Sequence, residues 1–219
     1  MISVAIDAST YVGTVAVFRD GDLLAEAQTA MRGADREGLL PLVSATVDRV
    51  CAGSRDIRRV VCGAGPGSFT SLRIAGSIAK GLAFGTGCPL FTVPSLALVP
   101  AAVNDLAPGT YLAVLDALRG EVFVAGYCVD EAGGLNEVLS VRLVPATEVE
   151  SIARSTQAVA IGPGQLRDAA PHARGVGRLA ALIEEKGPVD LASWEPLYGR
   201  KAEAQAKWEA AHRRPLPTR

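Results

Sequence analysis

The segment of the sequence with the clearest chemical potential is the glycine-rich run Gly63-Ala64-Gly65-Pro66-Gly67, which precedes a stretch with helical spacing. Such a run predicts a tight turn that leaves backbone N–H groups free at the start of a helix, where the helix dipole favours an anion. No Gly-Lys-Ser/Thr follows, so the run is not a Walker loop. Two interpretations stay open. Gly65, Gly67 and Ser68 form an anion-binding loop, or the glycines only permit tight packing while Phe69 fills the core.

Two aspartates end predicted strands and could face each other across a cleft. Asp7 is followed by Ala8-Ser9-Thr10-Tyr11, and Asp116 is followed by Ala117-Leu118-Arg119. Kinases and ATPases need glycine soon after such an aspartate, because the backbone must approach the phosphates closely. Side chains would occupy that space here. We therefore interpret Asp7 and Asp116 as capping and turn residues or as part of a vestigial nucleotide loop, and expect no ATP hydrolysis.

Other catalytic chemistry finds little support. His172 and His212 are the only histidines, they lie in no triad motif, and they are too far apart for a two-histidine metal site on one helix. We expect both on the surface, no metal and no cofactor. The four cysteines lack a C-x-x-C pair and are interpreted as small core residues: Cys51, Cys62, Cys88 and Cys128.

The elements that would position these residues occur in two similar halves. Each half reads strand, strand, strand, helix, strand and glycine turn, with an Asp-Gly or Gly-Gly turn between the second and third strands. In the first half the strands are predicted at 2–6, 13–18, 23–29 and 60–62, with helices at 39–50 and 71–84. In the second half the strands are predicted at 111–115, 121–129, 138–144 and 158–161, with a helix at 145–153.

This duplication predicts an α/β protein with the ribonuclease-H-like layout of actin, Hsp70 and the sugar kinases. We expect an N-terminal lobe at 1–107 and a smaller C-terminal lobe at 108–219, because the second half ends in only a helix at 179–186, an extended segment at 194–198 and a basic tail. The uncharged stretch 81–104 is broken by glycine and proline, so it predicts a helix end, a buried strand and a second helix rather than a membrane span.

Composition limits the functional classes. Hydrophobic residues make up 49% and charged residues 21%, as in ordinary globular proteins. The net charge of -1 argues against bulk attraction to nucleic acid. The only basic cluster is the tail of Arg213, Arg214 and Arg219, which we interpret as a frayed end. The first residues enter a strand pattern without a secretion signal, which predicts a cytoplasmic location.

Several motifs together resemble one family. Gly65-Pro66-Gly67-Ser68-Phe69-Thr70-Ser71-Leu72-Arg73-Ile74-Ala75 resembles the GPGSFTGLRIG signature of the TsaB family. The opening Ile6-Asp7-Ala8-Ser9 is similar to its I-D-T-S. Three further matches follow in order: Glu37-Gly38-Leu39-Leu40-Pro41, Asp116-Ala117-Leu118-Arg119-Gly120-Glu121-Val122-Phe123, and Pro196-Leu197-Tyr198 with Arg200. Leu118 and Asp35 replace a common arginine and histidine of the family.

The resemblance implies a non-catalytic partner subunit for forming N6-threonylcarbamoyladenosine at position 37 of tRNAs that read codons beginning with A. It implies pairing with TsaD, engagement of the ATPase TsaE, indirect contact with tRNA and no membrane contact. A homodimer is expected when TsaD is absent. The helices 39–50 and 71–84 are apolar around much of their circumference, which fits either a core position or a docking surface. The expected interface residues are Leu39, Leu40, Val43, Val47, Arg73, Ile74, Ile78 and Leu82. A diverged kinase or ATPase and, with less support, a peptidase remain alternatives.

Overall fold

A computed structural model describes residues 1–33, 37–50 and 53–199, together with Trp208 and His212. Asp35, Cys51, Arg200 and the basic tail lie outside the described residues. The chain forms two five-stranded mixed sheets, each with its own helices. This arrangement confirms the predicted α/β fold class.

The first sheet has the strand order β3-β2-β1-β4-β5. Strands β1 to β3 form an antiparallel meander, and β4 and β5 add in parallel beside β1. The turn between β2 and β3 places Asp20 and Gly21 in the left-handed region, as the Asp-Gly pair predicts. The strands are β1 Ile2–Asp7, β2 Val12–Arg19, β3 Asp22–Ala30, β4 Ile57–Gly63 and β5 Leu90–Val93.

The second sheet has the order β10-β9-β6-β7-β8, which repeats the first sheet when it is read from β8. Strands β6 to β8 form the meander, and β9 and β10 add in parallel beside β6. The predicted duplication is therefore present in the sheet topology. The strands are β6 Gly109–Asp116, β7 Glu121–Val129, β8 Leu135–Pro145, β9 Val159–Gly162 and β10 Arg167–Asp168.

The helices lie on defined faces of the sheets. Helices α1 (Leu39–Asp48) and α2 (Phe69–Thr86) pack against one face of the first sheet. Helix α4 (Val149–Ser155) packs against the face of the second sheet that is turned away from the shared core. Helix α3 (Leu98–Ala101) and helix α5 (Ala180–Lys186) join the core that also includes residues of both sheets. Helix α2 ends where Gly87 takes a left-handed conformation and donates its N–H to the carbonyls of Ala83 and Phe84.

The predicted start of the helix in the second half is wrong. The proline at 145 was expected to open a helix, but its backbone is extended and β8 continues through it. The next residue, Ala146, donates its N–H to the carbonyl of Gly120 in the β6–β7 turn. A 3₁₀ helix at Ala146–Glu148 then leads into α4. Pairing with a residue distant in sequence therefore overrides the preference of proline for a first helical turn.

The end of the described chain crosses back over the first lobe. Arg59 pairs with Glu184 of α5 at 2.6 Å, and Val189 donates its N–H to the carbonyl of Leu90 on β5. Residues 189–199, which we call the strap, then cross α2, where Pro196 lies against Gly76. The strap reaches the glycine turn, where Leu197 donates its N–H to the carbonyl of Ala64. In the described part of the chain, no helix is long and apolar enough to cross a membrane.

Candidate functional site

Asp7 lies at the end of β1 and is completely buried. One carboxyl oxygen accepts a hydrogen bond from the Ser95 hydroxyl at 2.6 Å, and the other accepts from the N–H and the hydroxyl of Ser9 at 3.0 and 2.8 Å. Burial raises the pKa of the Asp7 carboxyl, although these hydrogen bonds act in the opposite direction. A Cβ atom at Gly63 would lie only 1.9 Å from this carboxyl group. Both oxygens are therefore engaged by the protein itself.

The two loops that flank Asp7 contact each other directly. Ser68 donates its N–H to the carbonyl of Ser9 at 2.7 Å, and a Cβ atom at Gly67 would lie 2.1 Å from that same carbonyl oxygen. Gly65 has a φ of +87° and faces the carbonyl of Leu197, which a Cβ atom would approach to 2.3 Å. These glycines permit a close backbone approach, so the packing interpretation accounts for them without a bound anion.

An open cleft of about 450 Å³ lies between the two sheets, in front of these loops. Its lining comes from the β1–β2 turn, the start of α2, the β6–β7 turn and the end of the strap, with single residues after β3, in β7 and after β9. The lining residues are Ser9, Thr10, Tyr11, Arg32, Gly67, Ser68, Phe69, Thr70, Leu115, Asp116, Ala117, Leu118, Arg119, Phe123, Pro163 and Tyr198. Volumes of about 300–1,000 Å³ are typical of small-molecule sites. The cleft is therefore the candidate binding site of the chain.

Asp116 differs from Asp7 because it is exposed and lines the cleft. One of its carboxyl oxygens accepts a hydrogen bond from the N–H of Leu118 at 2.8 Å. Leu118, Arg119 and Gly120 all have positive φ values, so the β6–β7 turn projects the Arg119 side chain from a left-handed backbone. The turn role predicted for both aspartates is confirmed, but only Asp116 reaches the cleft.

Aromatic and cationic side chains make up much of the remaining lining. The Arg32 guanidinium carbon lies 3.5 Å from the centroid of the Tyr11 ring. The rings of Phe69 and Tyr198 are 4.4 Å apart at a tilt of 44°. Phe69 is half-buried and faces the cleft, so the expectation that it fills the core is wrong. Its partner Tyr198 comes from the strap, and no local sequence pattern relates the two residues.

The residues predicted to form the vestigial loop therefore lie in two different environments. Gly67, Ser68 and Asp116 line the cleft, whereas Asp7 and Gly65 lie behind it and are buried. Sequence reasoning missed the aromatic and cationic lining, since its residues come from segments that are far apart in the sequence, between Tyr11 and Tyr198. Within the described ranges, no group of three His, Cys, Asp or Glu residues is placed to hold a metal ion.

The helix pair α1 and α2 presents a different surface from the predicted one. Leu39, Val43 and Val47 are buried in the core against the first sheet. In the free chain they cannot line a docking surface, because the same apolar stripe of α1 already covers its own sheet. Leu40 is 52% exposed. The remaining predicted residues are Arg73, which is exposed, and Ile74, Ile78 and Leu82, which are half-buried.

Phe84 was missed by the sequence reasoning and is the most exposed aromatic side chain on α2, at 83%. Gly81 and Gly85 lie on the same helix, and a Cβ atom at either would meet open space. We use the term outer face for Leu40, Ile74, Ile78, Leu82 and Phe84 with these two glycines. The interface itself stays a prediction.

His172 corrects a second expectation. It is only 7% exposed, whereas a surface position was expected. Its Nδ1 accepts the N–H of Arg174 at 3.1 Å and so caps the 3₁₀ helix Ala173–Arg178. Burial lowers its pKa, Arg174 lowers it further, and the Glu26 carboxylate raises it. His212 is exposed, as expected. Cys62 and Cys88 are buried, as predicted for core residues, whereas Cys128 is only half-buried.

Comparisons with known proteins identify relatives of the chain. A family model described as "TsaD: tRNA N6-adenosine threonylcarbamoyltransferase" matches residues 31–165. The tRNA threonylcarbamoyladenosine biosynthesis protein TsaB of Bacillus subtilis (strain 168) is 29% identical over 226 residues, covering 95% of this chain and 98% of the relative. TsaB of Escherichia coli (strain K12) is 35% identical over 130 residues, covering 59% of this chain and 56% of the relative.

A solved structure agrees in fold with the chain. YeaZ from Pseudomonas aeruginosa has a TM-score of 0.76 at 24% identity, and the match covers 90% of this chain and 99% of that one. At this identity the likeness establishes the shared fold alone.

Proposed function

We propose that the chain, which belongs to the family described as TsaD: tRNA N6-adenosine threonylcarbamoyltransferase and is similar to TsaB proteins, is a non-catalytic partner subunit in the formation of N6-threonylcarbamoyladenosine on tRNA. In this proposal it pairs with TsaD, supports the engagement of TsaE and contacts tRNA only through the complex. Position 37 of tRNAs that read codons beginning with A is the modified site. The chain works in the cytoplasm and forms a homodimer when TsaD is absent.

The observation that carries the non-catalytic assignment is the closed packing behind the cleft. A kinase or ATPase of this fold needs room for the β- and γ-phosphates between the loops that follow its two aspartates. Here the loop after Asp7 carries side chains rather than glycine, and its Ser9 carbonyl is held against the glycine turn by the N–H of Ser68 at 2.7 Å. The oxygens of Asp7 accept hydrogen bonds from Ser9 and Ser95, so they are not available to a metal–nucleotide complex.

The outer face supports a role in protein pairing. Phe84 and Leu40 leave much of their apolar surface in water, and the half-buried Ile74, Ile78 and Leu82 lie on the same two helices. Large aromatic side chains of this kind are the usual anchors of protein interfaces. The open space at Gly81 and Gly85 would let the backbone of a partner helix approach α2 closely.

Pairing can be tested by placing a charge on the outer face. We expect Phe84→Asp to weaken binding to TsaD by about 30- to 1,000-fold, since an interface anchor contributes about 2–4 kcal/mol. Leu166→Asp is the matched control, because Leu166 is 88% exposed on the second lobe. Binding is measured by calorimetry with purified TsaD, and modification of tRNA is measured in the reconstituted system. Unfolding midpoints of both variants should equal that of the parent, since neither side chain is packed.

Two results would count against the proposal. If the Phe84→Asp variant still bound TsaD with the affinity of the parent, the outer face would not be part of the interface. Turnover of ATP by the isolated chain at roughly 1 per second or faster would favour the kinase or ATPase alternative instead. The variant Ile78→Asp is a weaker test, because Ile78 packs partly against the core and the charge would also destabilise the fold.

A further inference from the structure

The strap lies on the surface of the first lobe and is fastened near its two ends. Val189 donates its N–H to the carbonyl of Leu90, and Leu197 donates its N–H to the carbonyl of Ala64. Between these two points, no backbone–backbone hydrogen bond joins the strap to another part of the described chain. Every residue of the strap is half-buried or exposed. Segments with so few hydrogen bonds and so little burial open at a lower free energy than the core of a protein.

The strap also has structure of its own. The Asp190 carboxylate accepts hydrogen bonds from the N–H and the hydroxyl of Ser193 at 3.0 and 2.6 Å. Trp194 donates its N–H to the carbonyl of Asp190 at 2.9 Å. These bonds lie within the strap, so they would be kept if the strap moved away from α2. The strap can therefore move as one unit.

The contact between the strap and α2 is made by side chains around a glycine. A Cβ atom at Gly76 would lie 3.2 Å from the Pro196 ring and 3.5 Å from the Trp194 ring. The Lys80 amino group lies 5.8 Å from the centroid of the Trp194 ring, within the range of a cation–π interaction. Trp194 packs against the apolar core of the first lobe but is only half-buried. The strap can leave this contact without breaking a strand or a helix.

A hinge precedes the strap. Gly187 has a φ of +67° and a ψ of −178°, a conformation that is essentially restricted to glycine, and a Cβ atom there would meet open space. Pro188 follows and has no N–H to donate. Helix α5 on the other side is anchored, since Ile183 is buried and Glu184 pairs with Arg59. A change of backbone angles at these two residues would move the strap and leave α5 in place.

We propose that the strap is a reversible latch, which is docked on α2 in the free chain and opens as a unit about Gly187 and Pro188 while both sheets stay folded. Opening exposes the flank of α2 at Gly76. It also separates the Tyr198 ring from the Phe69 ring, whose centroids are 4.4 Å apart in the docked state. The latch therefore changes the surface of the first lobe at α2 and at the start of α2 together.

The latch has a consequence for pairing. Lys80, which lies beside Trp194, is one helical turn before Phe84 on the same side of α2. A partner seated on Phe84 therefore meets a different neighbouring surface in the docked and in the open chain. A partner that binds one of these states more tightly shifts the latch toward that state. This consequence rests on the proposed function, whereas the latch itself does not.

The latch is tested in the free chain by native-state hydrogen exchange, measured by mass spectrometry at a series of low urea concentrations. Amides of the strap should exchange at least about tenfold faster than those of β1, because they exchange through a local opening. Their exchange should depend little on urea, since that opening exposes little surface. Amides of β1 should show the urea dependence of global unfolding.

A substitution on α2 should release the strap. Gly76→Leu places a side chain where Pro196 and Trp194 now lie, and leucine is a better helix former than glycine. In a Trp208→Phe background, Trp194 is the single tryptophan of the chain. Its emission should shift to longer wavelength, and the strap amides should lose about tenfold or more of their protection while β1 keeps its own. Gly81→Leu is the matched control, because the same change on the same helix meets open space.

Each outcome either supports or overturns the latch. Local exchange of the strap in the parent, with release by Gly76→Leu and not by Gly81→Leu, supports it. Equal rates and equal urea dependence for the strap and β1 overturn it, because the strap then opens only with the whole fold. Strap amides that exchange like those of an unstructured peptide also overturn it, since the strap is then not docked. Unchanged Trp194 emission and strap protection in a folded Gly76→Leu variant do the same.

The two measurements keep the test decisive. If Gly76→Leu does not fold, the urea series on the parent alone decides between local and global opening of the strap. No TsaD is present in either measurement, so a failure of the latch is distinguishable from a failure of the pairing proposal.

Discussion

Replacing Gly67 with alanine tests whether the loop after β1 and the glycine turn before α2 are packed in direct contact. The new Cβ atom would lie 2.1 Å from the carbonyl oxygen of Ser9, whereas close carbon–oxygen contacts in proteins are about 3.3 Å. The neighbour is backbone, so no side chain can rotate away. The two loops would have to separate by about 1 Å, which also strains the hydrogen bond from Ser68 to Ser9.

Overpacking of this kind costs about 1–3 kcal/mol, and the absence of a flexible neighbour places Gly67→Ala near the upper end. For a chain of this length, 3 kcal/mol corresponds to a melting temperature lower by about 6–12 °C. The measurement is thermal and urea unfolding followed by circular dichroism. Gly81→Ala is the control, because the added Cβ atom meets open space on an exposed helical position.

The control should shift stability in the opposite direction. Alanine is preferred to glycine inside a helix by about 0.5–1 kcal/mol, so Gly81→Ala should raise the melting temperature by about 1–4 °C. If Gly67→Ala unfolded at the same temperature as the parent, the two loops would not be in contact and the space between them would be open. That result would remove the physical argument against a triphosphate in this fold.

Two pH-dependent predictions follow from buried titratable groups. Burial raises the pKa of the Asp7 carboxyl above its unfolded value of about 4, so the folded protein binds this proton more tightly than the unfolded chain does. The contribution of Asp7 to stability therefore falls as the pH rises from about 4 through the raised pKa. The unfolding free energy of the parent should therefore decline relative to Asp7→Asn between pH 4 and 8, and a constant difference would contradict the pKa shift. The pKa of His172 is lowered, so its contribution is present above about pH 6.5 and is lost as pH falls below that value. The His172→Asn variant keeps an acceptor for the Arg174 N–H and should lose less stability than the parent between pH 7 and pH 5. The charged groups that face His172 are Glu26 and Arg174. Equal losses of stability in the two proteins would refute the lowered pKa of His172.

Local patterns were enough to predict most of the elements. The strand β7 begins and ends at the predicted residues, and α1 and β2 differ from their predictions by at most two residues at each end. Alternation of small and branched residues and the Asp20-Gly21 turn are signals that lie within a few positions of one another. The duplicated order of those elements then indicated the sheet topology.

Features that depend on distant contacts could not be predicted. Asp7 is held by Ser95, which is 88 residues away, so its burial was not visible in the motif around it. His172 is buried because the adjacent Ala173 donates its N–H to the Thr14 hydroxyl on β2, which holds the start of the 3₁₀ helix against the first sheet. On α1, helical spacing placed Leu39 and Val43 on one face, but spacing does not indicate whether a face turns inward or outward.

The composition of the outer face constrains how a partner can bind. Covering Phe84 and Leu40 would contribute about 2–4 kcal/mol in total, because complete burial is worth about 1.5–3 kcal/mol per side chain and these two are 83% and 52% exposed. Association costs at least about 4 kcal/mol in lost translational and rotational freedom. Two anchors alone therefore cannot hold a partner. The remaining attraction must come from Ile74, Ile78 and Leu82, which a partner reaches only if its backbone comes close to α2 over Gly81 and Gly85. A partner helix with a small-residue stripe of its own fits this requirement, whereas a loop or a flat sheet face does not.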